Sequence, residues 1–176
     1  MAGQAARDEE VRLVTPRLVL RPWRVDEAAI HRELWLERDP RVPAHRRVDA
    51  NGRPSLADLE DAIRQHPPSA TSGLLALERR EAGDVIGYCG LIDGTRQPDE
   101  PELGFELLRR SWGHGYATEA SWAVLDWARS SGYPRLWATV WDWNTASRRV
   151  LAKLGFVETA REETVHGTKL TTVRQL

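Results

Sequence analysis

Lysine is nearly missing from this chain: of its 25 lysine and arginine residues, only Lys153 and Lys169 are lysines. Cysteine is rarer still. Cys89 stands alone, so no disulfide framework can form, and a reducing, cytoplasmic setting is the expectation. Charge of one sign is lacking too. A formal net charge of −1 and an isoelectric point near 6.5 leave no basic footprint for nucleic acid. No apolar run approaches the length of a membrane span, and the polar opening Met1 to Glu10 has no apolar stretch of the kind a signal peptide carries. His31, His45, His66, His114 and His166 show no ligand spacing, so no metal is expected. There is no internal repeat, linker or low-complexity segment. The expectation from 176 residues is a flexible N-terminal segment at 1–13 and a single domain at 14–176, large enough for a sizeable core.

What is present is concentrated between Glu102 and Ala120. Leu103, Phe105 and Leu107 alternate with Glu102, Gly104 and Glu106, the period of a strand. From Tyr116 the period turns helical, with Ala120, Val124 and Trp127 on one stripe. Between the two, Gly113 and Gly115 allow positive φ and let a ligand come close to the backbone. Amides at such a turn and at a helix N-terminus carry partial positive charge, which suits a phosphate. The scarcity of lysine then narrows the choice. A Walker A loop needs Lys and Ser or Thr after its last glycine, but Tyr116 and Ala117 follow Gly115. A dinucleotide fingerprint needs a third glycine where Thr118 stands, and an acidic strand end about 20 residues further on. Both are missing.

The rest of the chain reads as alternating elements. Arg17 to Arg21 is a strand and Asp26 to Leu36 a helix; residues 37–54 form a loop. Ser55-Leu-Ala-Asp58 is a capping box that opens a helix to about Gln65, stopped by Pro67-Pro68. Leu74 to Arg79 and Val85 to Ile92 are strands joined by a hairpin at Glu81 to Asp84. The strand from Glu102 to Leu108 is followed by a helix to about Ser131, stopped by Gly132 and Pro134. Arg135 to Trp141 is a strand, Thr145 to Leu154 a helix, and two strands flank His166-Gly167. The unit from Glu102 to Trp141 is long enough for a right-handed crossover between parallel strands.

Three motifs carry a resemblance. Arg110-x-x-Gly113-x-Gly115 with Trp112 inside it and Tyr-Ala-Thr-Glu-Ala after it resembles the acetyl-CoA pyrophosphate loop of the GNAT N-acetyltransferases, in the wording of the RimJ/RimL branch that acetylates ribosomal-protein N-termini. Thr15-Pro-Arg-Leu-Val-Leu-Arg-Pro22 is similar to that branch's opening strand. Asn144-x-x-Ser147 followed by Leu154-Gly-Phe156 is similar to its closing signature. The motifs stand in family order and span most of the chain. The resemblance implies an α/β GNAT fold, with a mixed central sheet of about six or seven strands, a splayed parallel pair and four flanking helices. It implies acetyl-CoA as co-substrate and a primary amine as acceptor. The pantetheine arm would lie along the backbone of Gly104, Phe105, Leu107 and Leu108. The loop from Arg110 through Trp112, Gly113, His114, Gly115, Tyr116 and Ala117 to Thr118 would hold the pyrophosphate. Asn144 would bond the arm, although a helix N-cap is an equally good use of it.

Acetyl transfer to an ammonium requires a base, an electrophilic donor and, in some enzymes, an acid. Glu102 and Glu106 share a face but lie about 13 Å apart along a regular strand, so they cannot both serve one amine. With the loop beyond the strand's C-terminal end, the thioester lies back toward its start. That favours Glu102 over Glu106, and other GNAT enzymes carry a base at the matching Glu-x-x-Phe position. A solvated edge carboxylate is the plain alternative for Glu102. Glu119, on the first helical turn, reads as structural. Where many GNAT enzymes place a tyrosine acid, this chain has Leu151, and neither Tyr88, Tyr116 nor Tyr133 is placed to replace it. Ser147 matches the serine of the RimJ/RimL branch and could donate to the leaving sulfur. A thiolate already leaves fairly well.

Eight tryptophans are many for this length. Trp122 and Trp127 are expected in the core. Trp35, Trp141 and Trp143 are expected as walls of an acceptor cleft, with a homodimer interface as the other ordinary use for the last two. The Arg-rich loop with Arg38, Arg41, Arg46, Arg47 and Arg53 is expected to be a solvated surface. The reading is an N-acetyltransferase working by direct transfer in a ternary complex. Its rivals are a small-molecule or antibiotic amine acetyltransferase on the same fold and an acyl-CoA-binding module without strong catalysis.

Overall fold

Alternating apolar residues make a sheet with two buried faces, and eight strands share it in the order β1-β2-β3-β4-β5-β6-β8-β7 in the computed structural model. Residues 11–97 and 99–176 are described by the structure. The strands are β1 (Leu13–Val14), β2 (Leu18–Arg21), β3 (Gly73–Arg79), β4 (Val85–Gln97), β5 (Glu100–Leu107), β6 (Arg135–Trp141), β7 (Val157–Thr164) and β8 (Gly167–Gln175). The helices are α1 (Ala28–Glu37), α2 (Leu56–Gln65), α3 (Tyr116–Ser130) and α4 (Thr145–Lys153). Every neighbouring pair is antiparallel except β5 and β6.

The strand period of two sorts the side chains between faces. Leu18, Leu75, Leu77, Leu91, Leu103, Leu136 and Val140 join Val124 and Leu125 of α3 and Leu151 of α4 in the main core. On the other face Tyr88, with Leu74 beside it, packs with Leu34 and Ile30 of α1 and with Leu108. Local signals set the helix ends. Ser55 Oγ accepts from the Asp58 N–H at 3.2 Å while Asp58 accepts from the Ser55 N–H at 2.7 Å, closing the capping box that opens α2. Gly132, at φ 85°, follows the end of α3.

Several expectations need correction. The sheet has eight strands, because β1 adds Leu13 and Val14 opposite Leu20 and Val19. Two residues carry no readable period. Val11 and Leu13 pack against the main core, so ordered packing reaches past the expected boundary at residue 14; positions 1–10 of the expected flexible segment lie outside the described residues. β4 and β5 both extend beyond their expected ends toward the turn between them. Trp127 is buried and its indole donates to the Ala70 carbonyl at 3.1 Å, but Trp122 is 40% exposed and stacks under Arg174. The 37–54 loop is not uniformly solvated either: the Arg38 side chain is only 9% exposed.

Candidate active site

The parallel strands β5 and β6 register at a single pair, Glu102 opposite Trp137, among the described residues. Alternation then decides what lines the gap beyond it. Leu108 N–H donates to Ile86 at 2.9 Å, so the even-numbered residues of β5 bond to β4. The backbone groups of Phe105 and Leu107 face β6. On β6, Asp142 N–H donates to Thr168 of β8 at 2.9 Å, so Thr139 and Trp141 face back toward β5. Glu102 sits at the fork: its Oε1 accepts from the Thr139 N–H at 2.9 Å. A carboxylate thus takes the amide that would have continued the ladder. At the wide end the Trp112 indole donates to the Leu107 carbonyl at 2.7 Å, and Asn144 N–H donates to the Trp141 carbonyl at 3.0 Å.

Beyond the wide end of the gap lies the glycine loop. Gly113 has φ 78° and Gly115 φ 80°, a conformation that L side chains rarely adopt. A Cβ on Gly113 would meet nothing within 4 Å, and one on Gly115 only Arg17 Nη2 at 3.6 Å. The conformation needs glycine, and the space in front is open. The first α3 hydrogen bond runs from Glu119 N–H to Gly115 at 3.0 Å, which leaves the amides of Tyr116, Ala117 and Thr118 without helical partners. Such a cluster is an anion site by construction.

The opening-strand motif holds this loop in place. Arg17 donates to the His114 carbonyl at 3.0 Å and to Glu119 at 2.7 Å, while the Thr15 hydroxyl donates to Glu119 at 2.6 Å. Its guanidinium lies 4.6 Å from the Tyr116 ring centroid. Burial works against the Glu119 charge, but the bonds from Thr15 and Arg17 outweigh it and hold its carboxyl below the usual range. Glu119 is therefore structural. Arg110 pairs with Glu33 of α1, and Arg109 N–H donates to Glu37 at 2.7 Å. The loop's arginines are tied to α1, so its ligand-facing end is backbone.

Glu106 has a different setting from Glu102. Arg38 grips it through Nε at 2.8 Å and Nη2 at 2.7 Å, and the Tyr88 hydroxyl donates to it at 2.7 Å. Burial disfavours the Arg38 charge, yet Glu106 more than offsets this and raises its pKa. The same guanidinium lies 4.0 Å from the Trp35 ring centroid. Burial pushes the Tyr88 phenol up and the neighbouring His31 imidazole down. Glu106 is thus a fully engaged anion. No sequence signal pointed to Arg38 or Tyr88, since Arg38 lies 68 positions from its partner in the chain.

The three expected acceptor tryptophans lie on this side. Trp35 stacks with Arg38, while Trp141 and Trp143 lie parallel to each other, centroids 6.1 Å apart at 4°. The Trp143 indole donates to the His166 carbonyl at 2.9 Å, and the His166 ring meets Trp141 edge-on. From the 37–54 loop, Arg41 lies 4.2 Å from the Trp143 centroid and donates to Asp39 at 2.9 and 2.8 Å. Its hydrogen bonds hold the Asp39 carboxyl down at about 2. A cavity of about 500 Å³ opens here between Pro40, Arg41, Asp142, Trp143, His166 and Gly167. Directly after Trp143, Asn144 caps α4, its Oδ1 accepting from the Ser147 N–H at 3.1 Å. The cap uses the oxygen only. The sole cysteine, Cys89, is fully buried with its thiol pushed up to about 12 by burial, so it cannot serve as an acyl-accepting nucleophile.

Residues 17–157 match the family described as Acetyltransferase (GNAT) domain. The chain belongs to the GNAT acetyltransferase family. A relative from Bacillus licheniformis, an uncharacterized N-acetyltransferase p20, is 29% identical over 146 residues, covering 82% of this chain and 81% of that protein. A GNAT-family acetyltransferase structure from Bacillus anthracis superposes with a TM-score of 0.78 at 17% identity, over 94% of this chain and 98% of the other. RimJ of Mycobacterium smegmatis, solved in complex with CoA-disulfide, superposes at 0.66 and 23% identity, covering 97% and 88%. The mixed sheet with one splayed parallel pair and four helices is thus the GNAT fold.

Proposed function

We propose that this GNAT protein moves an acetyl group from acetyl-CoA to a primary amine in a ternary complex, and that its acceptor is a protein or peptide N-terminus, as the RimJ/RimL wording of its motifs suggests. The observation that carries the reading is the gap after Glu102 and Trp137, which opens toward the unpartnered amides at the start of α3. The residues present fit CoA. Glycines at positive φ clear the approach to the loop, and the backbone of Phe105 with the Leu107 N–H can bond an extended arm as a strand edge bonds a peptide. The RimJ structure from Mycobacterium smegmatis, which holds CoA-disulfide, has the same fold.

Bound acetyl-CoA supplies the activated thioester. Loop amides from Gly113 to Thr118 hold its pyrophosphate, and the amide NH2 of Asn144 donates to the arm. Glu102, anchored through Oε1, takes the proton from the acceptor ammonium on Oε2. The neutral nitrogen then bonds the acetyl carbon as the C–S bond breaks. The nitrogen's second proton passes to the departing thiolate, which the Ser147 hydroxyl steadies by donating a hydrogen bond, and Glu102 releases the first proton to solvent. Glu106 stays paired with Arg38 and shapes the acceptor side. The buried Cys89 favours direct transfer over any relay through an acyl-cysteine.

Free thiol release from acetyl-CoA, measured across small amines and N-terminal peptides, tests this reading. Release with peptides bearing a free N-terminus supports it. Release with small amines alone moves the assignment to a small-molecule acetyltransferase. Tight CoA binding without release in any case makes the protein an acyl-CoA-binding module.

A further inference from the structure

The cleft beside Trp143 already holds a cation, and it is the protein's own. Arg41 is on an exposed turn with its side chain 55% exposed, yet its guanidinium lies 4.2 Å from the Trp143 ring centroid. The ring is rigidly presented. Trp141 stacks parallel beside it, the Trp143 indole N–H is tied to the His166 carbonyl, and a Cβ on Gly167 would meet the Trp143 ring at 2.9 Å. Asp142 lines the same cavity as Arg41 and Trp143, and its Oδ1 accepts from the N–H groups of Trp143 and Thr168 at 2.9 and 3.2 Å. An aromatic face with a fixed carboxylate beside it is a cation-binding arrangement. The Arg41 side chain donates only to Asp39 among the described residues, on its own exposed turn, so the guanidinium can swing away while the ring and carboxylate stay.

We infer that Trp143 and Asp142 form a subsite for a guanidinium or ammonium group carried by the acceptor away from its reacting amine, and that Arg41 is a displaceable occupant of that subsite. The subsite's place in the acceptor path rests on the acetyl-transfer reading; its affinity for a cation does not. Displacing the Arg41 side chain bares the Trp143 face inside the cavity already present between Pro40-Arg41 and the hairpin, so a cationic acceptor clears its own place. A neutral acceptor must enter past the bound arginine. Competition between an internal and an external guanidinium makes acceptor charge a determinant of specificity.

The test uses arginine amide and its neutral isostere citrulline amide, titrated into the CoA-saturated protein. The signal is the Trp143 indole N–H resonance, assigned by its loss in Trp143→Phe. Arginine amide is expected to bind roughly 3–20-fold more tightly than citrulline amide. Arg41→Gln should widen that ratio by removing the competitor, and Asp142→Asn, which keeps the Oδ1 acceptor, should narrow it. Equal affinity for the two amides, or an unchanged or narrower ratio in Arg41→Gln, overturns the inference. Because binding is read directly, failure of thiol release with every amine would sink the acetyl-transfer reading without touching this result.

Discussion

The glycine loop and the aromatic face beside the wide end of the gap between β5 and β6 are built from different parts of the chain. At the glycine end the ligand-facing groups are backbone amides from Gly113 to Thr118, set by two positive-φ glycines and the first turn of α3. On the face proposed for the acceptor they are side chains: Trp35 and Arg38 from α1 and its C-terminal flank, Arg41 from the loop, Trp141 and Trp143 around the end of β6. Backbone donors depend on conformation and tolerate changes in side chains around them. A wall of side chains changes with every substitution and with every shift of the elements that carry it. One end can therefore keep a constant ligand while the other varies its partner. The two carboxylates of β5 show the same division. Glu102 holds one backbone amide at the fork, whereas Glu106 is saturated by Arg38 and Tyr88.

The sharpest test of that division is Glu102→Gln. The amide can still accept from Thr139, so the fork persists, but the base is lost and kcat should fall about 10²–10⁴-fold. Raising pH should restore part of the rate, because more acceptor is then already neutral. Steady-state kinetics beside acetyl-CoA calorimetry would show the loss in turnover rather than binding. If Glu106→Gln behaves this way and Glu102→Gln does not, the roles of the two are reversed.

Next in size is Arg38→Ala, which leaves Glu106 and Tyr88 without their cation. Breaking a largely buried pair from one side costs about 3–5 kcal/mol, readable as a lower urea midpoint. A loss below 1 kcal/mol would class the pair with surface ion pairs and remove its role as a wall.

At the glycine end, Gly115→Val forces a β-branched residue toward φ 80°, a strain on the order of 1–3 kcal/mol. Relief by moving the loop should weaken CoA binding about 10–100-fold in a folded protein. Unchanged affinity by calorimetry would refute the loop as the pyrophosphate site. At the acceptor end, Trp141→Ala and Trp143→Ala should raise acceptor KM roughly 3–20-fold with little change for acetyl-CoA. If both variants keep a normal KM but pass from dimer to monomer in light scattering, these rings serve an interface.

The smallest effect concerns His31, stacked on Trp23 and edge-on to Tyr88. Burial, with the nearby Arg38 charge, holds its folded pKa below the ordinary 6.5. The unfolded chain then binds the proton more readily, so its contribution to stability is present above about 6.5 and declines as pH falls toward the folded pKa. Melting temperatures between pH 7.5 and 5.5 should fall less in His31→Phe than in the unsubstituted protein.

Much of the scaffold was legible because its signals are local. The Ser55-Asp58 capping box, the strand from Arg135 to Trp141 and the glycine turn before α3 each occupy a few adjacent residues, and the structure shows all three. β1 was not legible, because two residues carry no period. Trp122 was misplaced for a related reason: it sits near the apolar stripe of α3 but faces Arg174 rather than the core.

The residues alone determined an α/β fold and the glycine turn that leads into α3 between Trp112 and Thr118, since glycine conformation and helix N-termini are properties of short segments. Only the tertiary structure decided what separates Glu102 from Glu106, which arginine in the 37–54 loop is buried, and that Arg41 rests on Trp143. Those contacts join positions 68 and about 100 residues apart. Their energies depend on burial and on distances that exist only once β4, β5, β6 and the final hairpin have come together around α1.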